Sequence, residues 1–401
     1  MHDLIVVGGG PAGSMCAREA AQRGLDVVLI EKESTPRIKM CGGALSPRIA
    51  DTLDFDISPV VQLEMHTAFV YSPSGNKIVI VRKNSKGSLV KRDEFDRYLL
   101  EKAREAGVEI IDDTRVIEVE QLKRGIRVLS PGDSFKGHIL VGADGVNSTI
   151  SRKLGIRERW SNDRIALCIA ANIPLSSKEI SQILCPPEAQ GNLAIEMYPW
   201  AIEYGYGWCF PKRDEISIGL GYKLKHGILN LRDAWKEFIH RFEEEKGIKL
   251  EVQTKKACRV PLAKFDKRLS SRRTMLVGDA AGLASPITGE GIYYAIRSGI
   301  IAGNVAFEAV RDKNPLHIQR YEQRLKEEMK TEFSAANFVA NLVYTSKKKV
   351  DLVCELAEQD PILQDYMIDL ALGSRSINRI RFDITKRMLS HYPLKSLRLL
   401  R

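Results

Sequence analysis

"DLIVVGGGPAGSMCAREAAQRGLDVVLIEK", residues 3–32, decides the fold. Residues 3–7 are a short apolar run ending in glycine, which reads as a buried parallel strand. A loop and a helix follow, and Gly24 stops the helix. "LDVVLIEK" is a second strand, so the chain opens on a β-α-β unit. Gly8, Gly10 and Gly13 give G-x-G-x-x-G in the first turn, with Pro11 and Ala12 between the last two glycines. Such glycines let the backbone approach a pyrophosphate, and the helix start supplies N–H groups and partial positive charge. Glu31, followed by Lys32, ends the second strand eighteen residues after Gly13, where an acid accepts from a ribose hydroxyl. The bland alternative is a tight turn holding strand against helix. An acid at position 31 repels a 2′-phosphate, which favours FAD or NAD over NADP.

Two later stretches choose between these. "VGADGVNSTISRKLG" (141–155) and "MLVGDAAGLASPITGEG" (275–291) each put an aspartate after an apolar strand. An NAD dehydrogenase needs neither. With the N-terminal unit they resemble the three fingerprints of FAD enzymes of the para-hydroxybenzoate-hydroxylase fold. The resemblance implies that Asp279 binds the ribityl chain. It also implies that the helix from Gly289, Gly291 and Ile292 onward aims its N-terminus at the flavin pyrimidine edge, stabilising reduced flavin. Arg92 in "LVKRDEFD" matches the family's arginine near the diphosphate; alone it reads as a solvated charge at a helix start. Asp144 and Gly145 are expected to organise their loop more than to touch FAD, and Val116 completes the cofactor set. No second G-x-G-x-x-G exists, so the reductant (ferredoxin, NAD(P)H or another donor) has to dock transiently.

At 401 residues, 44% hydrophobic and 28% charged, the chain suits a folded protein of two or three domains. No apolar run reaches the roughly 18–20 residues that span a bilayer, and the start does not read as a signal peptide, so a cytoplasmic location is expected. Seven scattered cysteines without a C-x-x-C pair, and seven dispersed histidines without H-E-x-x-H, argue against a metal site or a disulfide framework. Residues 64–71 and 77–83 read as a hairpin around "SPSGN", 93–106 as a helix, 165–260 as strand-rich with a charged helix near 230–246, and everything after about 289 as helical. The expected fold is α/β: a Rossmann-like FAD-binding domain (1–61, 84–160, 270–335), an inserted antiparallel β-sheet substrate domain (62–83, 161–269) and a C-terminal helical region (336–401).

"YGYGWCFP" (204–211) puts Tyr204, Tyr206, Trp208 and Phe210 at alternate positions, with Gly205, Gly207 and Cys209 between them. In a strand the aromatics share one face. That face is either the core side of an ordinary sheet or one wall of an apolar pocket. "YGWCFP" followed by Gly219 and Gly221 in "GLG" resembles the YxWxFP segment of geranylgeranyl reductases, and "KMCGGALSP" (39–47) resembles their CGG motif. Those flavoenzymes saturate prenyl double bonds of archaeal ether lipids, chlorophyll precursors or quinones. The resemblance spans about 1–310. It implies an isoprenoid lipid substrate and an aromatic pocket of Tyr204, Tyr206, Trp208, Phe210, Gly219 and Gly221. It also implies that Cys41, beside Gly42 and Gly43, gives a proton or shapes the flavin's substrate face. The faces of Tyr206 and Trp208 can stabilise positive charge on a tertiary carbon by cation–π attraction. An FAD monooxygenase of the same fold shares the three fingerprints and is the competing reading.

The net charge is +10, and residues 375–401 hold +7 of it, from Arg375, Arg379, Arg381, Lys386, Arg387, Lys395, Arg398 and Arg401 against Asp383. No nucleic-acid motif accompanies them. Ile377, Ile380, Ile384 and Met388 form one helical stripe. It is expected to pack on the body of the protein, and a basic amphipathic helix also suits an anionic membrane surface.

Overall fold

The computed structural model describes residues 1–82, 87–227, 229–265, 268–372 and 377–400. By internal contacts the chain forms two units. The first contains Met1–Lys39, Asp93–Arg164 and Val260–Phe333; the second contains Met40–Arg92, Ile165–Arg259 and Ser334–Arg401.

The first unit is built on an eight-stranded sheet. His2–Val7 lies between Asp133–Gly142 and Val27–Ile30, and Thr274–Leu276 and Glu109–Ile111 extend it on either side, all in parallel. Val6 stands opposite Val141 on one side and Leu29 on the other. Leu4, Ile5, Val6, Val28 and Leu29 have no exposure, as continuous apolar strands in a sheet covered on both faces require. The helix Pro11–Gln22 packs on the long helix Ile292–Arg311. The expected helix at 93–106 is Arg92–Glu105, with Phe95, Leu99 and Ala103 fully buried.

The second unit carries a seven-stranded, mostly antiparallel sheet. Its strands run in the order Lys256–Pro261, Ile165–Pro174, Glu215–Lys223, Gly205–Pro211, Ala194–Tyr198, Thr67–Tyr71, Lys77–Val81. The helix Leu231–Lys246 packs Trp235, Phe238 and Phe242 into its core.

Three expectations change in detail. The strand read over 64–71 is two strands in different sheets. Thr67–Tyr71 pairs with Lys77–Val81, as the hairpin reading requires, whereas Val61–Met65 pairs with Gly87–Val90. Gly87 allows this, because a Cβ there would stand 2.4 Å from Met65 Cε. The far end of the hairpin reading, residue 83, lies outside the described residues. A helix at Ser177–Leu184 was not anticipated, although its signal was present: Ser176 and Glu179 form a capping box. Tyr204 is not part of the aromatic strand. Its φ of +59° is left-handed, and the strand starts at Gly205.

The C-terminal stripe packs inward as expected. Ile380 is 1% and Met388 7% exposed; Met388 and Ile384 join Leu356 and Leu363 in an apolar cluster. Arg387 secures this packing by pairing with buried Asp360 at 2.6 Å. Arg375, Arg401 and the side chain of Ile377 lie outside the described residues. Among the described residues no helix is long and apolar enough to cross a membrane, and no cluster of His, Cys, Asp and Glu fits a metal ion.

Candidate active site

The turn after the first strand is shaped by its glycines. Gly8 has φ +112°, and a Cβ there would lie 2.3 Å from the Ala143 carbonyl oxygen; at Gly13 it would lie 1.8 Å from the Gly8 oxygen. These two build the turn and the strand–helix contact. Gly10 is different. A Cβ there meets only the end of the Arg37 side chain, at 3.4 Å, so the loop is open on this side. Pro11 is the first helical residue, and no side chain caps the helix start, where Ala12 and Gly13 follow. Open backbone, unused first-turn N–H groups and no blocking side chain together fit a diphosphate.

Glu31 is buried at 3% exposure. It accepts from Gly9 N–H at 2.6 Å and Glu33 N–H at 3.2 Å. A carboxylate has about four acceptor sites, so it retains capacity for a ribose hydroxyl. Lys32 is exposed and pairs with Glu33. The cation over the loop is instead Arg37, which sequence reading missed. It stands 3.7 Å from Glu31 and 3.4 Å from Asp96, and its Nε is buried without an acceptor among the described residues. Nothing in the pattern "TPRIK" distinguishes it; its place comes from Gly10 and Asp96.

Asp144 organises its loop. One carboxylate oxygen accepts from Thr149 N–H at 2.6 Å and Ile150 N–H at 3.0 Å, and burial pushes its carboxyl up. Gly145 makes the adjoining turn at φ +77°. Asp279 lies in the short helix Gly278–Ala281, 3.7 Å from Lys39 Nζ. Its Oδ1 is 3.5 Å from where a Cβ of Gly291 would be. Gly291 is the cap of the helix that begins at Ile292, without a side-chain cap, and Gly289 turns the chain into it at φ +70°. Val116 is a core side chain of this unit. Arg92 is 7% exposed, so it is not the solvated charge of the bland reading.

In the second unit the aromatic strand answers its own question. Gly205, Gly207 and Cys209 are the core side: a Cβ at Gly207 would stand 2.9 Å from Phe238, and Cys209 has no exposure. Tyr206, Trp208 and Phe210 are half-buried on the opposite face. Gly219 and Gly221 do not leave an open floor. A Cβ at 219 would lie 2.3 Å from the Trp208 indole, and at 221 2.4 Å from Cys168 Sγ. The space they free is filled by those two side chains. Tyr206 and Trp208 meet edge to face at 6.2 Å, and the Trp208 N–H is buried without an acceptor among the described residues. Burial first, then neighbouring Tyr344, Cys168 and Cys41, push the Tyr206 phenol up.

The Cys41-Gly42-Gly43 turn is fixed at three successive carbonyls, two of them by residues on or next to these strands and the third by the strand Gly87–Val90. Ser217 Oγ donates to Cys41 O at 3.1 Å, Lys212 Nζ to Gly42 O at 2.7 Å and Val90 N–H to Gly43 O at 2.9 Å. Phe210 covers Gly42, where a Cβ would lie 2.7 Å from the ring. Cys41 itself is half-buried.

The match to known proteins agrees with this geometry. Residues 1–326 match the FAD binding domain family. A digeranylgeranylglycerophospholipid reductase of Methanocella arvoryzae is 33% identical, over 81% of this chain and 83% of its own length. The chain belongs to the geranylgeranyl reductase family of FAD-binding proteins. A geranylgeranyl diphosphate reductase of Rhodobacter capsulatus is 28% identical over 99% of this chain and 95% of its own. A geranylgeranyl bacteriochlorophyll reductase-like structure from Thermoplasma acidophilum superposes with TM-score 0.83 at 25% identity, covering 99% of this chain and 98% of its own.

In this geranylgeranyl reductase family member the cofactor is FAD, and the first unit brings together Gly8–Gly13, Glu31 and the unanticipated Arg37. The second brings together Cys41, Tyr206, Trp208, Phe210 and the unanticipated Lys212. Lys212 is 1% exposed, and burial pulls its ammonium down to about 8. Directly after an apolar strand, a lysine reads as a solvated end. Its burial comes from Gly42, far away in sequence.

Proposed function

We propose that the protein saturates the double bonds of geranylgeranyl chains, most plainly those of membrane ether-lipid precursors, using FAD reduced by a transiently docked donor. Quinone or chlorophyll side chains are the alternative acceptors. The observation that carries this reading is the aromatic face itself. Tyr206, Trp208 and Phe210 stand away from the sheet core, beside a pinned Cys-Gly-Gly turn. A prenyl chain offers nothing to hydrogen-bond, and burying its methylenes at about 0.8 kcal/mol each supplies affinity. When bound and reduced, FAD supplies hydride. Protonation of an alkene puts positive charge on the tertiary carbon, which the faces of Tyr206 and Trp208 stabilise by roughly 0.5–2 kcal/mol. Cys41 holds the proton at its Sγ.

Trp208→Ala tests the wall. Turnover is expected to fall at least about fivefold while FAD per chain is unchanged. Equal loss of FAD and activity would reduce Trp208 to packing.

We place the work in the cytoplasm, at the inner face of the membrane. Exposed Phe382, Leu389, Leu394 and Leu397 stand on the same C-terminal helices as exposed Arg379, Arg381, Lys386 and Arg398, which supports surface contact. Salt-sensitive co-sedimentation with anionic vesicles is expected; recovery of all protein in the supernatant at low salt would remove this part of the reading.

A further inference from the structure

One charged group remains unused. Lys223 ends the strand Glu215–Lys223. Gly219 stands opposite Trp208 and Gly221 opposite Tyr206, so Lys223 is the next residue along the aromatic face. Its Nζ lies 5.7 Å from the Tyr344 ring centroid, and Tyr344 neighbours Tyr206. Lys223 is half-buried. Among the described residues its ammonium has no carboxylate and no hydrogen-bond acceptor.

Three other withdrawn lysines of this unit are matched. Lys246 pairs with Glu196 at 2.7 Å, Lys91 with Asp214 at 2.6 Å, and Lys212 has the Gly42 carbonyl. A cation half-withdrawn from water beside an aromatic ring, with no anion among the described residues to offset its charge, is costly. Burial, with Lys225 beside it, pulls the Lys223 ammonium down to about 8, which leaves it mostly charged at neutral pH.

We infer that Lys223 anchors the phosphate of an anionic prenyl substrate at the end of the aromatic face. This deepens the proposed function and rests on it. Ser217, which holds the Cys41 carbonyl, and Lys223 are six residues apart on one strand, or about 20 Å. That is the length scale of one geranylgeranyl chain. With its phosphate at Lys223, the chain runs over Tyr206 and Trp208 toward the Cys41 turn. A neutral alcohol or quinone head gains nothing from the lysine, so the residue selects phosphorylated substrates.

Saturated analogues test binding without turnover. Calorimetric titration of the FAD-loaded protein would compare phytanyl phosphate, diphytanylglyceryl phosphate and phytanol. Wild type is expected to bind at least one of the phosphates at least about tenfold more tightly than phytanol. Lys223→Met is expected to abolish that preference without changing phytanol binding, and Lys223→Arg to keep it. Tighter binding of the diether phosphate supports a lipid head group as the source of the phosphate; tighter binding of the monophosphate supports a soluble prenyl phosphate. Phosphate binding unchanged in Lys223→Met, or no preference in wild type while phytanol binds, would overturn the anchor and leave the reductase reading standing. Failure of all three ligands to bind would remove both.

Discussion

Gly10→Val yields a folded protein that no longer holds FAD. The prediction separates the three glycines of the turn. A side chain at Gly13 would collide with the Gly8 carbonyl at 1.8 Å, so Gly13→Ala damages the fold itself. At Gly10 the backbone is extended, with φ −79°, and a side chain meets only the movable end of Arg37. Valine is therefore accommodated by the protein and excludes a phosphate from the helix start. Each charge-assisted hydrogen bond lost there costs about 1.5–3 kcal/mol, or about tenfold to hundredfold in affinity. The expected product is a colourless protein with a wild-type far-ultraviolet circular dichroism spectrum and nearly unchanged melting temperature. Full FAD occupancy in Gly10→Val would show that the open side of the turn does not receive the diphosphate.

Cys41→Ala and Cys41→Ser are expected to keep FAD and the fold but to slow re-oxidation of reduced flavin by prenyl substrate at least about tenfold. The thiol makes one bond of the turn, accepting from Gly43 N–H at 3.4 Å, and the turn has three stronger anchors besides. Ser217, Lys212 and Val90 hold its three carbonyls, and the substitutions leave these bonds in place. What changes is the acid. A thiol passes a proton at neutral pH, alanine has none, and a serine hydroxyl is a far weaker acid. General acid help is typically worth about 10²–10⁴-fold. Anaerobic stopped-flow absorbance reads the step directly. Wild-type rates in both variants would leave Cys41 as packing and move the proton source to water.

How far the sequence was legible follows from where each signal resides. The β-α-β unit was readable because strand, glycine turn, helix and acid lie within 32 residues, and each local preference agrees with the fold. The alternation of Tyr206, Trp208 and Phe210 was readable, but not which face was the core. Cys209 and the two glycines look too bare to be buried. The bulk that covers Gly207 belongs to Phe238, contributed by a helix that begins twenty residues beyond the strand's end. Arg37 and Lys212 were invisible for the same reason. Each is a charged residue in an unremarkable local pattern, and burial by distant backbone turns it into part of a site. Tyr204 was misplaced because strict alternation carries no warning that its φ is positive.

The measurement that reaches the central claim is a single anaerobic incubation. Chemically reduced, FAD-loaded protein is mixed with digeranylgeranylglyceryl phosphate, and the lipid is analysed by mass spectrometry. The account predicts a gain of two hydrogens for each double bond reduced, together with re-oxidation of the flavin and no requirement for oxygen. A lipid unchanged without oxygen, and carrying an added oxygen atom once air is admitted, would contradict it and establish a monooxygenase instead.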